Sequence, residues 1–127
     1  ITKIDLAPCS VVTLNFTLQF IATHDRLALL KKIYEALKPG GVLILSEKIC
    51  FDKSHEQSTL EELHWSFKKA NGYSELEVSQ KRSALEQVLL PDTLQAHQLR
   101  LKTAGFEHQH LWYQCFNFIS LVAIKSA

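Results

Sequence analysis

Apolar and polar positions along the chain change period several times, and each change marks an element. Val11-Val12-Thr13-Leu14-Asn15-Phe16 is a short run rich in β-branched residues, which predicts a strand buried on both faces. Thr23-His24-Asp25 follows as a capping residue with an acid in the first turn. Leu27, Leu30, Ile33, Tyr34 and Leu37 then recur at helical spacing. Lys38-Pro39-Gly40-Gly41 stops that helix, because proline disfavours helical geometry in the residue before it and glycine supplies a positive φ for the exit. Val42-Leu43-Ile44-Leu45 predicts a second buried strand, so the three elements form a right-handed parallel crossover.

The C-terminal third has a different pattern. A helix is expected from about Thr93 to Ala104-Gly105-Phe106. Two β-rich runs follow, His110 to Tyr113 and Phe118 to Lys125, close enough for an antiparallel hairpin. Between the two halves, residues 48–91 read as a helical insert. Leu60, Leu63, Phe67 and Ala70 share one helical face, and Asn71-Gly72 ends that helix with two residues tolerant of left-handed geometry. Ser74 and Glu77 have capping-box spacing, so a second helix starts at once and carries Leu76, Leu85, Val88 and Leu89. Asn71-Gly72-Tyr73-Ser74 is therefore a sharp corner between helices. The position of Tyr73 on it suits either packing or a pocket.

Composition narrows the function classes. With 127 residues, 46% hydrophobic and 21% charged, the chain has the make-up of one globular domain. No apolar run is long enough for a membrane span and no signal-peptide layout opens the chain, so a soluble, cytoplasmic protein without membrane partners is expected. The formal charge of +1, with no basic stripe, argues against direct nucleic-acid binding. Cys9, Cys50 and Cys115 are odd in number and lack a CxxC pair, which suggests reduced, mostly buried thiols rather than disulfides or zinc. His108 and His110 fall on one strand face but lack a third ligand, so no metal is expected. Trp65, Trp112 and Tyr113 read as core or interface aromatics. The chain contains no methionine, so residues 1–127 are read as a single incomplete domain, the C-terminal part of something larger.

The order of elements, with LKPGGVLILSE as turn and strand and AGF closing the last helix, resembles the C-terminal half of the Rossmann-like S-adenosylmethionine methyltransferase fold. The expected fold class is thus α/β with a helical insert and a C-terminal antiparallel hairpin. A narrower resemblance rests on VTLNFTLQF, ILSEK and FKKANGYSELEVSQKRSALEQVLLPDTLQAHQLRLKTAGF. These stretches closely resemble the carboxy-S-adenosyl-L-methionine synthase family. The resemblance implies an enzyme that takes S-adenosylmethionine as substrate together with prephenate, and yields carboxy-S-adenosylmethionine and phenylpyruvate. A partner enzyme would use the product to carboxymethylate a tRNA wobble uridine. It also implies a homodimer, in which an arginine of one subunit reaches into its neighbour's site.

The same resemblance nominates residues that bind S-adenosylmethionine or its carboxylated product. Asn15 matches the position that contacts the nucleoside, and Ile1 matches the residue beside the adenine. Arg82 matches the arginine that holds the added carboxylate, which suits a planar guanidinium fork. The residues themselves leave blander readings open: Asn15 as a strand end, and Arg82 as a solvated helix residue paired with Glu86 or Glu75. No protein nucleophile is implied, because the S-methyl carbon, as a sulfonium ylide, captures the carbon dioxide that prephenate loses. The catalytic residues are therefore unknown from sequence. The glycine-rich turn and the acidic residue that complete such a cofactor site are absent from these 127 residues. An ordinary methyltransferase fragment and a non-catalytic truncation product stand as the alternatives. Either half-fold would leave the edge of the Val11 to Phe16 strand unpaired.

Overall fold

The computed structural model describes residues 1–86 and 88–127. Strand β1 (Cys9–Asn15) leads through a single 3-10 turn, Leu18–Phe20, to helix α1 (Thr23–Ala36) and strand β2 (Leu37–Lys48). Helices α2 (Ser54–Ala70) and α3 (Glu75–Leu85) come next, followed by α4 (Leu94–Ala104) and the strands β3 (His108–Cys115) and β4 (Phe118–Ile124). The sheet order is β1-β2-β4-β3. β1 and β2 are parallel, with Leu14 opposite Leu45 and Asn15 opposite Ser46. The other two pairings are antiparallel. The crossover, the final helix and the hairpin thus fall where the apolar pattern puts them.

The core lies on one face of the sheet. Leu14, Leu43, Leu45, Ile119 and Leu121 meet Leu29, Leu30 and Ile33 of α1 and Leu101 of α4, with Phe106 filling the gap beyond. The Phe106 ring meets Tyr34 edge-on at 5.0 Å. Burial on both faces, expected for β1, is not found: Val11 is 57% exposed while Leu14 is buried. The reason is geometric, since successive side chains alternate across a sheet. In β2 the alternation is plain as well, with Leu43 and Leu45 buried and Val42 and Ile44 only half-buried. β1 lies at the end of the strand order, so its outer edge has no partner among the described residues, as the sequence implied.

Side chains cap the starts of α3 and α4 but not those of α1 and α2. Thr23 does not cap α1; it is the first helical residue, and Ala22 occupies the cap without a side-chain hydrogen bond. The α1 exit instead uses Lys125, whose Nζ donates to the carbonyls of Tyr34 at 2.8 Å and Leu37 at 2.7 Å. A cation at a helix C-terminus satisfies carbonyls that have no intrahelical donor. Ser74 accepts from the Glu77 amide at 3.1 Å and Thr93 from the Ala96 amide at 3.1 Å. Gly105 adopts φ 119° at the end of α4. Gly72 takes the left-handed geometry at the α2–α3 corner, whereas Asn71 stays at φ −98° and donates its side-chain amide to Phe67 O at 2.8 Å.

The insert departs most from expectation. In α2 the covered positions are Gln57, Leu60, Glu61, His64, Trp65 and Lys68, while Leu63 and Phe67 are exposed. The apolar stripe and the covered stripe are offset by about one residue, so the helix turns a mostly polar face toward the body. α3 ends at Leu85, so Val88 and Leu89 lie beyond it; Gln87 lies outside the described residues. Leu76 is exposed and Val78 is the buried residue of that helix. Trp112 and Tyr113 are not core: both are exposed, where a register shift interrupts the β3–β4 pairing. Cys9, Cys50 and Cys115 are free thiols, half-buried rather than buried.

Candidate functional site

Parallel strands end at the edge where α/β folds bind ligands, and three features of this chain gather there. Asn15 closes β1 with an exposed side chain that makes no hydrogen bond among the described residues. Phe16 follows with φ 52°, an uncommon value for a non-glycine residue, while its amide donates to Ser46 O at 2.8 Å. This kink turns the chain away from the sheet directly after Asn15. It leaves the carboxamide at the open end with its acceptor and two donors unused.

A buried polar cluster fixes the kink. Glu47 is fully buried, and its two carboxylate oxygens accept from the amides of Leu18 at 3.0 Å and Gln19 at 3.1 Å. Burial pushes its carboxyl up to about 7, against the opposing pull of those amides and of Arg26 and Arg100. Gln19 in turn accepts from the Lys48 amide at 2.8 Å. Arg26, also fully buried, donates to Ile21 O at 2.9 Å, Leu90 O at 2.7 Å and Asp92 Oδ2 at 2.8 Å. Arg100 meets the same Asp92 oxygen. Burial works to raise the Asp92 carboxyl, but its hydrogen bond to Arg100 and the charges of Arg100 and Arg26 hold it below its ordinary value. The cluster ties the segment after β1, the end of β2 and the segment before α4 into one rigid edge.

None of this cluster was singled out by sequence reasoning, though part of it had a signal. Glu47 continues the Leu43, Leu45 alternation and so belongs on the buried face. Arg26 lies on the same helical stripe as Leu29, Leu30 and Ile33. His97 completes the group. Its Nδ1 faces an Arg100 nitrogen at 3.4 Å, and because guanidinium only donates, the neutral ring carries its proton on Nε2. That nitrogen is buried without a partner. Burial first, and Arg100 second, push His97 down to about 4.

Beyond the edge, β2 runs into a cleft between α2 and α3. Its volume is about 230 Å³. Lys48 lies two residues past Ser46, on the same face of the strand, and so reaches from the Asn15 end toward this cleft. Lys68, Lys81 and Arg82 enter from the helices, with Trp65 and Val78 forming apolar wall. Four cations thus meet only two carboxylates, Glu61 and Glu86. Arg82 stacks on Trp65, its guanidinium carbon 4.6 Å from the ring centroid. It also lies 3.5 Å from Glu86. Glu75 pairs with Lys69 instead, at 3.0 Å. His64 forms part of the cleft, and burial, with Lys68, Lys48 and Lys81 behind it, pushes the ring down to about 4.

The residues nominated from sequence are therefore placed unequally. Asn15 and Arg82 are connected through the end of β2, one at the strand edge and the other in the cleft that Lys48 enters. Ile1 is exposed and lines none of the described clefts. Tyr73 is exposed at the helix corner. His108 and His110 are exposed on β3, and the described residues contain no group of three metal-ligating side chains. No helix is long and apolar enough to cross a membrane among the described residues.

No protein-family model matches the chain. A carboxy-S-adenosyl-L-methionine synthase of Shewanella woodyi is 61% identical over 125 residues, covering 98% of this chain and 51% of that protein. Synthases of the same name from Shewanella frigidimarina and from Shewanella sp. strain ANA-3 are 59% and 63% identical over the same coverage. The chain spans about half the length of these curated relatives. Among solved structures, human N-acetylserotonin methyltransferase in complex with SAM superposes with a TM-score of 0.66 at 19% identity, covering 99% of this chain and 32% of that one. An O-methyltransferase family 2 protein from Planctomyces limnophilus gives 0.64 at 14% identity, covering 97% and 32%. The arrangement of strands and helices is that of a partial S-adenosylmethionine methyltransferase fold.

Proposed function

We propose, from the premise that this chain belongs to the carboxy-S-adenosyl-L-methionine synthase family and spans about half its length, that the full-length protein converts S-adenosylmethionine and prephenate into carboxy-S-adenosylmethionine and phenylpyruvate. The observation that carries the reading is Arg82, stacked on Trp65 in a cleft with more cations than carboxylates. Such a place suits a product that differs from its precursor by one added carboxylate. Ordinary methyl transfer would leave that excess of positive charge without an anion to serve.

In this reading Asn15 binds the nucleoside part of S-adenosylmethionine through its unused carboxamide, and Ile1 lies beside the adenine. The residues of this chain fit the ligand in part only: Gly40 and Gly41 lie within the first half of β2, Gly72 at the α2–α3 corner and Gly105 at the end of α4, and none forms a glycine-rich loop after a strand. The remaining contacts belong to the other half of the protein. The reaction balances without a protein nucleophile. Prephenate releases carbon dioxide and hydroxide as it becomes phenylpyruvate, the hydroxide takes one methyl proton as water, and the carbon dioxide joins the methyl carbon. The chain's own part is to position the reactants, exclude water and hold the new carboxylate on Arg82 through two parallel charge-assisted hydrogen bonds.

The product then serves carboxymethylation of tRNA wobble uridine by a partner enzyme, so this protein itself has no need to grip tRNA. The +1 formal charge of these 127 residues is in keeping with that division. The full-length protein acts as a cytoplasmic homodimer without metal. The exposed apolar residues Leu63, Phe67 and Leu76 around the α2–α3 corner supply surface for pairing. The direct test is to incubate the full-length protein with S-adenosylmethionine, with and without prephenate, and to weigh the nucleoside product. A mass gain of one carboxylate only when prephenate is present is expected. An unchanged nucleoside in both cases refutes the reading.

A further inference from the structure

We infer that Lys48, Lys68 and Lys81 form a recognition site for a small organic dianion in the cleft beside Arg82, and that they select a dicarboxylate over a monocarboxylate as the second substrate. This rests on the synthase reading for the identity of the dianion, prephenate. The site itself rests on geometry. The three lysines converge on one concavity of about 230 Å³ from three different elements, β2, α2 and α3. Among the described residues, none of them has a carboxylate within ion-pair distance, whereas neighbouring Lys69 and Arg82 do. Lys48 and Lys68 are half-buried. Burial and the surrounding cations hold both ammonium groups below their ordinary range, although Glu61 pulls Lys48 the other way.

Lys48 and Lys68 repel one another in a partly desolvated space, with Lys81 at its exposed rim, and an anion removes that cost. A surface lysine cluster is normally relieved by water or by interspersed acids; here Glu86 pairs with Arg82, and Glu61 alone faces the three lysines, which leaves two positive charges unmatched in the cleft. Two unmatched charges suit a dianion. The walls define the rest of the ligand: Trp65, Val78 and Leu85 supply an apolar surface for a carbon ring or chain between the carboxylates. The volume lies below the ~300 Å³ at which drug-sized pockets begin, so the ligand is small. A nucleic acid is disfavoured, because its phosphates are read by exposed basic stripes, and this charge sits in a concavity.

The experiment uses the full-length protein and its Lys48→Met, Lys68→Met and Lys81→Met variants. Prephenate is titrated into each by calorimetry, S-adenosylmethionine is titrated separately, and the nucleoside product is weighed. Each substitution is expected to weaken prephenate binding roughly tenfold or more, as for loss of a charge-assisted hydrogen bond, with S-adenosylmethionine affinity unchanged. Lys68→Arg should restore most of the loss, and phenylpyruvate, with one carboxylate, should bind the wild type more weakly than prephenate does. Wild-type-like prephenate binding in all three Met variants overturns the site while leaving the synthase reading intact if product forms. Prephenate binding that depends on the lysines, without any carboxylated nucleoside, sinks the synthase reading and leaves the site standing. Absence of both binding and product overturns both. Lysine-dependent loss of tRNA binding with prephenate binding unchanged assigns the cleft to nucleic acid and also overturns the proposal.

Discussion

Arg82 is the residue on which most depends, and its surroundings set what its loss should do. It is half-exposed at the Glu86 side and stacked at the Trp65 side. The Glu86 contact, at helical i,i+4 spacing, is worth only a few tenths of a kcal/mol. A stability effect from Arg82→Ala should therefore be small, whereas carboxy-S-adenosylmethionine formation by the full-length enzyme should fall by about 2–5 kcal/mol of transition-state stabilisation. Arg82→Lys keeps the charge and loses the fork, so its rate should lie between. A rate for Arg82→Lys equal to wild type would remove the bidentate contact from the account. Mixing an inactive Arg82→Ala protein with an inactive Asn15→Ala protein asks whose site the arginine serves: recovered activity means that Arg82 reaches the partner's site.

Residue identity made some features legible and hid others. Ser74, Thr93 and Gly105 could be read because each does its work within four residues of chain. Glu47, Arg26 and Asp92 could not be paired from sequence, since Arg26 and Asp92 are brought together only by the packed fold. The lysines of the cleft shared that fate. Each looks like an ordinary solvated cation until β2, α2 and α3 place them side by side.

At the scale of elements, periodicity located every helix and strand but misjudged two helix faces. The stripe Leu63 and Phe67 looked like the buried side of α2, yet that helix turns Glu61, His64 and Lys68 inward because its inner face lines a cleft. The apolar stripe stays largely exposed, with the Phe67 ring meeting Phe116 at 5.6 Å. Two element-level substitutions test the local account. Ser74→Ala removes the acceptor for the Glu77 amide and should cost about 1 kcal/mol, read as a lower urea midpoint. Gly105→Ala meets two obstacles, a φ of 119° and the Tyr34 ring 2.9 Å from the new methyl carbon. It should cost about 1–3 kcal/mol from backbone strain alone. A Gly105→Ala protein as stable as wild type would mean that α4 does not end as described.

For the whole molecule, the buried titratable groups give stability a predictable pH dependence. His97 falls from an ordinary 6.5 to about 4 on folding, so the fold favours the neutral ring. Its contribution is full above pH 6.5 and is lost as pH falls toward 4, by about 3 kcal/mol. His64 acts in the same direction. Glu47 acts oppositely: its carboxyl rises from 4.5 to about 7, so its contribution is full below pH 4.5 and is lost as pH climbs to 7, again by about 3 kcal/mol. Between pH 6.5 and 4.5 two histidines oppose one carboxyl, and acidification should lower the urea midpoint of the full-length protein. Glu47→Gln removes the opposing group and should make that fall steeper. A flat or rising profile in the variant would contradict these assignments.

The same scale holds the strongest link between fold and function. One covered sheet face, a β1 edge without a partner among the described residues and a chain spanning about half its relatives' length describe a partial fold that nevertheless carries a hydrogen-bonded strand edge and a cationic cleft. The central claim is that this cleft serves the transfer of a carboxyl group from prephenate to S-adenosylmethionine. Prephenate carrying carbon-13 in its ring carboxylate, incubated with the full-length protein and S-adenosylmethionine, tests it most directly. The account predicts a nucleoside heavier by one carboxylate that contains the label. A nucleoside of unchanged mass, or one that gains an unlabelled carboxylate, would contradict it.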